Sequence, residues 1–132
     1  TMFHSLEHIH EIDDAFKKIE RFLESAGILI ISIPNHDAYE RRFFSSRWVA
    51  YDAPRHLYHF TFESMKHLLD KNNFRIEEYK PMYLDTFYNT IMSHQLSFLS
   101  IPVVIFQILI SIINIFRDNK KASSLLFVCR KK

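Results

Sequence analysis

Gly27-Ile28-Leu29-Ile30-Ile31-Ser32-Ile33-Pro34-Asn35 is the stretch on which the fold turns. Between Ile28 and Ile33 every residue is apolar except one serine, and a short run of that kind, rich in β-branched side chains, predicts a strand buried on both faces and of the parallel type. Pro34 has no amide to give to a ladder and Asn35 favours turns, so the strand should stop there and a loop begin. On the N-terminal side Ile12, Ala15, Phe16, Ile19, Phe22, Leu23 and Ala26 recur at helical spacing. Asp13 and Asp14 place negative charge near the start of that series, as an amphipathic helix prefers. Gly27, the only glycine, then reads as the left-handed residue that closes the helix.

Working outward, His36 to Phe44 suits a short helix, and the aromatic-rich, aperiodic stretch from Ser45 to His59 reads as an ordered loop. Thr61 is a good N-cap for a helix over roughly 62–72, and Asn73 can take the left-handed conformation that ends it. Phe74, Ile76 and Tyr79 alternate with polar residues as a strand does, and Leu125 to Val128 is a second short run of strand formers. Leu96 to Phe116 carries no charged residue and is long enough to span a bilayer. It reads as a long apolar helix packed on the sheet or against a second subunit, with contact to a membrane as the alternative. The order helix, buried strand, loop, helix, strand, long helix, strand predicts an α/β sheet with helices on its faces.

Composition bounds the rest. A length of 132 residues, 48% of them apolar and 24% charged, suits one folded domain but is short for a complete two-layer α/β enzyme. The net charge of +2 gives no support to nucleic acid as a partner. A lone cysteine, Cys129, permits no disulfide within the chain, and Thr1-Met2-Phe3-His4 does not resemble a secretory leader, so a cytoplasmic setting is expected, with membrane association as the variant. With a single glycine no G-x-G-x-x-G turn is possible, so a nucleotide-binding fold looks half present.

Particular motifs then suggest a family. Phe3-His4-Ser5-Leu6-Glu7-His8-Ile9, the helix ending Phe22-Leu23-Glu24-Ser25-Ala26-Gly27, and Ile31-Ser32-Ile33-Pro34-Asn35 come in that order. They are followed by Arg47-Trp48, by Pro54-Arg55-His56-Leu57-Tyr58-His59-Phe60 and by Asn72-Asn73-Phe74. This series resembles the second half of the class I S-adenosylmethionine-dependent methyltransferases of the type 11, 12 and 23 groups. In those proteins the fourth strand ends in H-x-L-E-H and the fifth in P-N, and W and P-R-H-L-x-x-F follow. Ala26-Gly27 replaces the usual glycine pair and Asn73 the usual glycine before Phe74, both keeping the turn chemistry.

The resemblance implies the C-terminal half of a Rossmann-like methyltransferase fold, a mixed sheet whose last strand is antiparallel. Residues 1–35 would hold the end of the fourth strand, a helix and the fifth strand; 36–60 the acceptor-side loop; 61–80 a helix and strand; 81–122 a variable apolar helical insertion; and 123–132 the last strand and a basic tail. The first three strands, which in the family carry most of the cofactor site, would be absent, so S-adenosyl-L-methionine would need that half, the isolated chain would be inactive, and its open sheet edge would favour a homo-oligomer.

The same resemblance implies site residues. Phe3, His4 and Ser5 would approach the methionine and sulfonium end of the cofactor, at the carboxyl ends of the strands where open α/β sheets bind ligands. His4 or His56 would serve as general base, since a histidine of ordinary pKa is competent near neutrality. Trp48, Arg55, His56 and His59 would line the pocket of a small-molecule, sugar or lipid-like acceptor, Arg55 by paired hydrogen bonds to an anionic group. Against each role stands a structural one: Glu7 and His8 fixing a turn, the Arg55 loop stapled internally, Trp48 anchoring packing. His4-x-x-x-His8 and His56-x-x-His59 have metal-ligand spacing, but nothing in the sequence makes the pairs converge, and no metal is expected. Two rival functions remain: a non-catalytic dimerisation or membrane-surface module built on 96–116, and a metal-dependent hydrolase.

Overall fold

The structure, a computed structural model, describes residues 1–94 and 101–132. Four strands, β1 (Met2–Phe3), β2 (Leu29–Pro34), β3 (Phe74–Pro81) and β4 (Ser124–Lys131), form one sheet in the order β1-β2-β4-β3. β1 and β2 are parallel, and β4, the last strand, runs antiparallel to both of its neighbours, which makes the sheet mixed as the sequence implied. The helices are α1 (Ile12–Phe22), α2 (Tyr39–Phe44), α3 (Phe62–Lys71), α4 (Tyr83–Ser93) and α5 (Ile101–Arg117). The expected apolar helix from Leu96 is seen from Ile101; its first part lies outside the described residues.

The core follows from strand alternation. Leu29, Ile31 and Ile33 of β2 and Leu125, Phe127 and Cys129 of β4 share one face and close over Phe16 of α1 and Met65 and Leu69 of α3. Burial pushes the Cys129 thiol up to about 12, so it is a packing residue and not a nucleophile. α3 begins as the sequence predicts: the Thr61 hydroxyl accepts from the Ser64 amide at 3.1 Å, and the Ser64 hydroxyl accepts from the Thr61 amide at 2.8 Å, a reciprocal cap. Asn73 closes it at φ 62°.

Gly27 has a different role from the expected one. α1 already ends at Phe22, and Gly27 is not left-handed. A Cβ there would stand 2.6 Å from Leu23 Cγ and 2.9 Å from the Glu24 carbonyl, so glycine is required by crowding in the tight turn that brings the chain into β2. β2 ends where expected: Pro34 is its last residue, opposite Ser124.

Asn35 does the stopping, by its side chain. Its Nδ2 donates to the Lys120 and Ala122 carbonyls at 2.7 and 2.8 Å, while its Oδ1 accepts from the Asp37 amide. One fully enclosed amide thus ties the end of β2 to the entry of β4 and opens the loop that follows.

α4, α5 and α2 pack together as a lobe beside the carboxyl ends of β1 and β2. Burial in α4 is inverted, and in α5 it is mixed, Val104 and Ile115 being buried beside two polar residues. Thr86, Asn89, Thr90 and Ser93 of α4 and Gln107 and Ser111 of α5 are buried, while Leu84 and Phe87 of α4 and Phe106, Leu109 and Phe116 of α5 face outward.

Candidate acceptor-side site

β1 hands the chain to His4, whose backbone takes φ 44° and whose amide donates to the Ser32 carbonyl of β2 at 3.0 Å. That left-handed step turns the His4 side chain across the carboxyl ends of the two parallel strands. A cavity of about 330 Å³ opens there, lined among others by His4, Asp52, Arg55, His56, Asp85 and Asn89. The crevice past the carboxyl ends of parallel strands is where open α/β sheets place ligands.

His4 sits between two carboxylates. Its Nε2 is 3.0 Å from Asp85 Oδ2 and its Nδ1 is 3.6 Å from Glu7 Oε1, and Ser32 Oγ lies 3.2 Å from Nε2. Asp85, then Glu7, raise its pKa from 6.5 to about 9. Burial pushes the Asp85 carboxyl up, but its contacts with His4 and Ser124 outweigh this and leave it below its ordinary value. Both His4 nitrogens already face carboxylates, so a role as free base at neutral pH does not fit this geometry; a charged His4–Asp85 pair does.

His56 is held differently. Its Nδ1 is 2.9 Å from the Ala50 carbonyl, and because a carbonyl only accepts, Nδ1 carries the proton. Nε2 is left facing inward, 3.8 Å from Glu7 Oε1. Of the two expected bases, His4 has both nitrogens facing carboxylates, whereas the His56 Nε2 has no hydrogen-bond partner among the described residues.

The loop carrying His56 is pinned to the segment after β1. The His8 Nδ1–H donates to the Arg55 carbonyl at 2.9 Å, the Leu57 amide donates to the Glu7 carbonyl at 2.8 Å, and the Tyr58 hydroxyl donates to the His10 carbonyl at 3.2 Å. Arg55 lines the cavity, but its guanidinium is engaged by Asp52 Oδ1 through Nε at 3.1 Å and through a terminal nitrogen at 2.6 Å. An incoming anion would compete with that carboxylate.

The other expected residues lie elsewhere. Trp48 is 2% exposed and packs with Ala38, Phe44 and Ala50, so as an acceptor contact it is corrected to a packing anchor. His59 is stacked on His36 with ring centroids 5.6 Å apart and does not line the cavity. Phe3 and Ser5 flank His4 outside the cavity wall, Phe3 largely exposed. Asp85, Asn89 and Glu7 are the residues that sequence reasoning missed or gave only a turn-fixing role.

A second buried acid supports the cavity from behind. Glu40 of α2 accepts from the Ser123 hydroxyl, which itself accepts from Asn89 Nδ2 at 2.9 Å. Burial raises the Glu40 pKa from 4.5 to about 7, with the Ser123 bond opposing. A raised carboxyl pKa stabilises the fold fully below about 4.5, and that stability is lost as pH rises through about 7. Glu40→Gln is therefore expected to gain on the native chain between pH 5 and pH 8 by on the order of 2 kcal/mol, read as the difference of their urea midpoints. Parallel pH profiles of the two proteins would refute the buried-acid account.

Comparison with known proteins bears on the family and the fold. A family model described as a methyltransferase domain matches residues 1–79, which is more than half of the chain. No curated protein matches. Among solved structures, the [4+2]-cyclase SpnF is similar, with a TM-score of 0.57 at 19% identity over 98% of this chain. The chain spans 47% of that protein's length, about half. At this identity the likeness shows the fold.

Proposed function

The chain belongs to the methyltransferase-domain family, and from that premise we propose that it is the acceptor-side half of an S-adenosylmethionine-dependent methyltransferase acting on a small molecule. One observation carries the reading: the cavity at the carboxyl ends of β1 and β2 sets the His4 segment against the Asp52–His56 loop. The exposed Phe3 ring and the Ser5 hydroxyl are the residues here that would flank the cofactor, with His4 between cofactor and acceptor. S-adenosylmethionine, when bound, supplies an already activated methyl group, so the protein's work is alignment and management of one proton. The Asp85 carboxylate, held by His4, accepts a hydrogen bond from the acceptor's hydroxyl or amine and turns its lone pair toward the cofactor side. Asn89 lines the same wall and fixes the acceptor's orientation.

Calorimetric titration of S-adenosylhomocysteine tests this, with the chain as given and with any longer natural form carrying residues before Thr1. Binding by the longer form supports the reading, and binding by neither removes it. Light scattering on the same samples reads whether the chain associates through β1, whose outer edge has no partner strand among the described residues.

A second reading concerns where the protein works. The outward faces of α4 and α5 are apolar, with Leu84 80%, Phe106 60% and Phe116 75% exposed, whereas the inward face of α4 is polar and that of α5 mixed. That arrangement favours a lipid surface as the outer contact. No helix among the described residues is long and apolar enough to cross a membrane, so the contact proposed is peripheral. Flotation with phosphatidylcholine vesicles is expected to carry the native chain upward and to lose Phe106→Lys/Phe116→Lys by at least about tenfold, the two side chains being worth roughly 1.5–3 kcal/mol each when buried. A native chain that stays with the soluble fraction ends this reading.

A further inference from the structure

Glu7 poses a problem that methyl transfer alone leaves unsolved. Its carboxylate is fully buried, and neither oxygen has a hydrogen-bond partner. A charge enclosed in this way without a donor is strongly disfavoured, and the nearest imidazole nitrogens, of His4 and His56, stand beyond hydrogen-bonding distance at 3.6 and 3.8 Å. Around it, donor atoms of Glu7, His8 and His56 all lie within 4.8 Å of one another.

The two histidines are also oriented alike. His8 and His56 each donate Nδ1–H to a main-chain carbonyl, Arg55 and Ala50 respectively, both at 2.9 Å. A histidine that binds a metal through one ring nitrogen commonly fixes its tautomer by donating the other to a carbonyl. Here that arrangement leaves Nε2 of each ring deprotonated in the neutral form and available as a ligand. The rings lie edge to face with centroids 4.8 Å apart.

We infer that Glu7, His8 and His56 form a site for a divalent transition-metal ion of the zinc type, with an open coordination position toward the acceptor cavity. Two imidazoles and one carboxylate suit such an ion, which takes nitrogen and oxygen ligands at about 2.0–2.2 Å. Tetrahedral closure at those bond lengths needs donor atoms about 3.3 Å apart, so the side chains must draw in from their present spacing by rotamer adjustment. The ion neutralises the buried carboxylate. Because His56 also lines the cavity wall, the open position is within reach of an acceptor oxygen, whose proton the ion would make more acidic. This rests on the methyltransferase reading and deepens it by naming how the acceptor is activated when His4 is paired with Asp85 and the His56 Nε2 serves as a ligand. The cluster takes one histidine from each of the two spaced pairs; His4 also approaches Glu7 but is held by Asp85, and His59 lies outside the cluster.

The test needs no cofactor and no acceptor. Cobalt(II) titrated into the metal-free chain is expected to give visible d–d absorption saturating at one equivalent, and zinc is expected to displace it. Glu7→Gln and His8→Gln should each weaken cobalt binding at least about 10–100-fold, while His59→Gln binds as the native chain does. His8 is exposed, so His8→Gln keeps the test valid if Glu7→Gln fails to fold, with circular dichroism checking both. No saturable binding, or binding that His8→Gln leaves unchanged in a folded protein, overturns the site. Cobalt binding with no S-adenosylhomocysteine binding by either the chain or a longer natural form would leave a metal site and remove the methyltransferase role; the reverse would remove the metal alone.

Discussion

Asn35→Ala is expected to destabilise the protein by about 2–4 kcal/mol, more than any surface substitution, because it strands several buried polar groups together. The Asn35 side chain is 1% exposed and serves two carbonyls of the Lys120–Ala122 turn and the Asp37 amide. Alanine removes both donors and the acceptor. In a domain of this size such a loss lowers the melting temperature by on the order of 10 °C. Asn35→Asp separates the causes: it keeps the acceptor for Asp37 but turns a carboxylate toward two carbonyl oxygens, and it should cost at least as much as alanine. Differential scanning calorimetry of the three proteins decides the matter. If Asn35→Ala lies within about 1 kcal/mol of the native chain, the junction between β2 and β4 is held by the ladder and not by this amide.

The same residue shows how far the sequence could be read. Asn35 was legible as a turn residue, as its bond from the Asp37 amide fits, but the two carbonyls it serves lie more than 80 positions away, and no local rule announces them. Features set by neighbours in the chain were readable: the Thr61 cap, the left-handed Asn73, the apolar run of β2. Gly27 was singled out correctly for the wrong reason, because crowding by Leu23 and a left-handed φ make the same demand for a residue without Cβ. α4 was covered only as part of a helical insertion over 81–122, without bounds or a buried face of its own, because its burial is inverted. Thr86, Asn89, Thr90 and Ser93 face inward, so the apolar period that announces an ordinary surface helix points the wrong way.

That inversion also hid half of the site. His4 and His56 were visible as candidates, since their motifs are local, and the cavity does bring them together. Asp85, the strongest partner of His4, rides on α4 and could not be placed without the helix. Glu7 was visible as a residue but not as a buried charge, because burial arises only when the Pro54–Tyr58 loop docks over it. Chemistry carried by one segment was legible; chemistry made by two segments meeting was not.

Asp85→Asn therefore carries the second large expectation. In the metal-free chain the substitution removes the larger of the two influences that raise His4 to about 9, and the His4 pKa is expected to fall by at least about one unit, tenfold in proton affinity. The sign on stability follows. A raised histidine pKa contributes stability that is fully present below about 6.5 and is lost as pH rises through about 9. The native chain should thus lose more stability than Asp85→Asn across that window, by about 1 kcal/mol once solvent screening of the partly exposed His4 is allowed for. NMR titration of the His4 imidazole reads the pKa directly, and urea melts at pH 6 and pH 9.5 read the linkage. If the proposed function holds, the same variant in any longer natural form that binds the cofactor should lower methyl transfer by about 10²-fold while leaving S-adenosylhomocysteine affinity within a few-fold, since Asp85 lines the acceptor cavity whereas Phe3 and Ser5 do not. A His4 pKa that does not move would mean that Glu7 alone holds the ring, and the acceptor-side role of Asp85 would go with it.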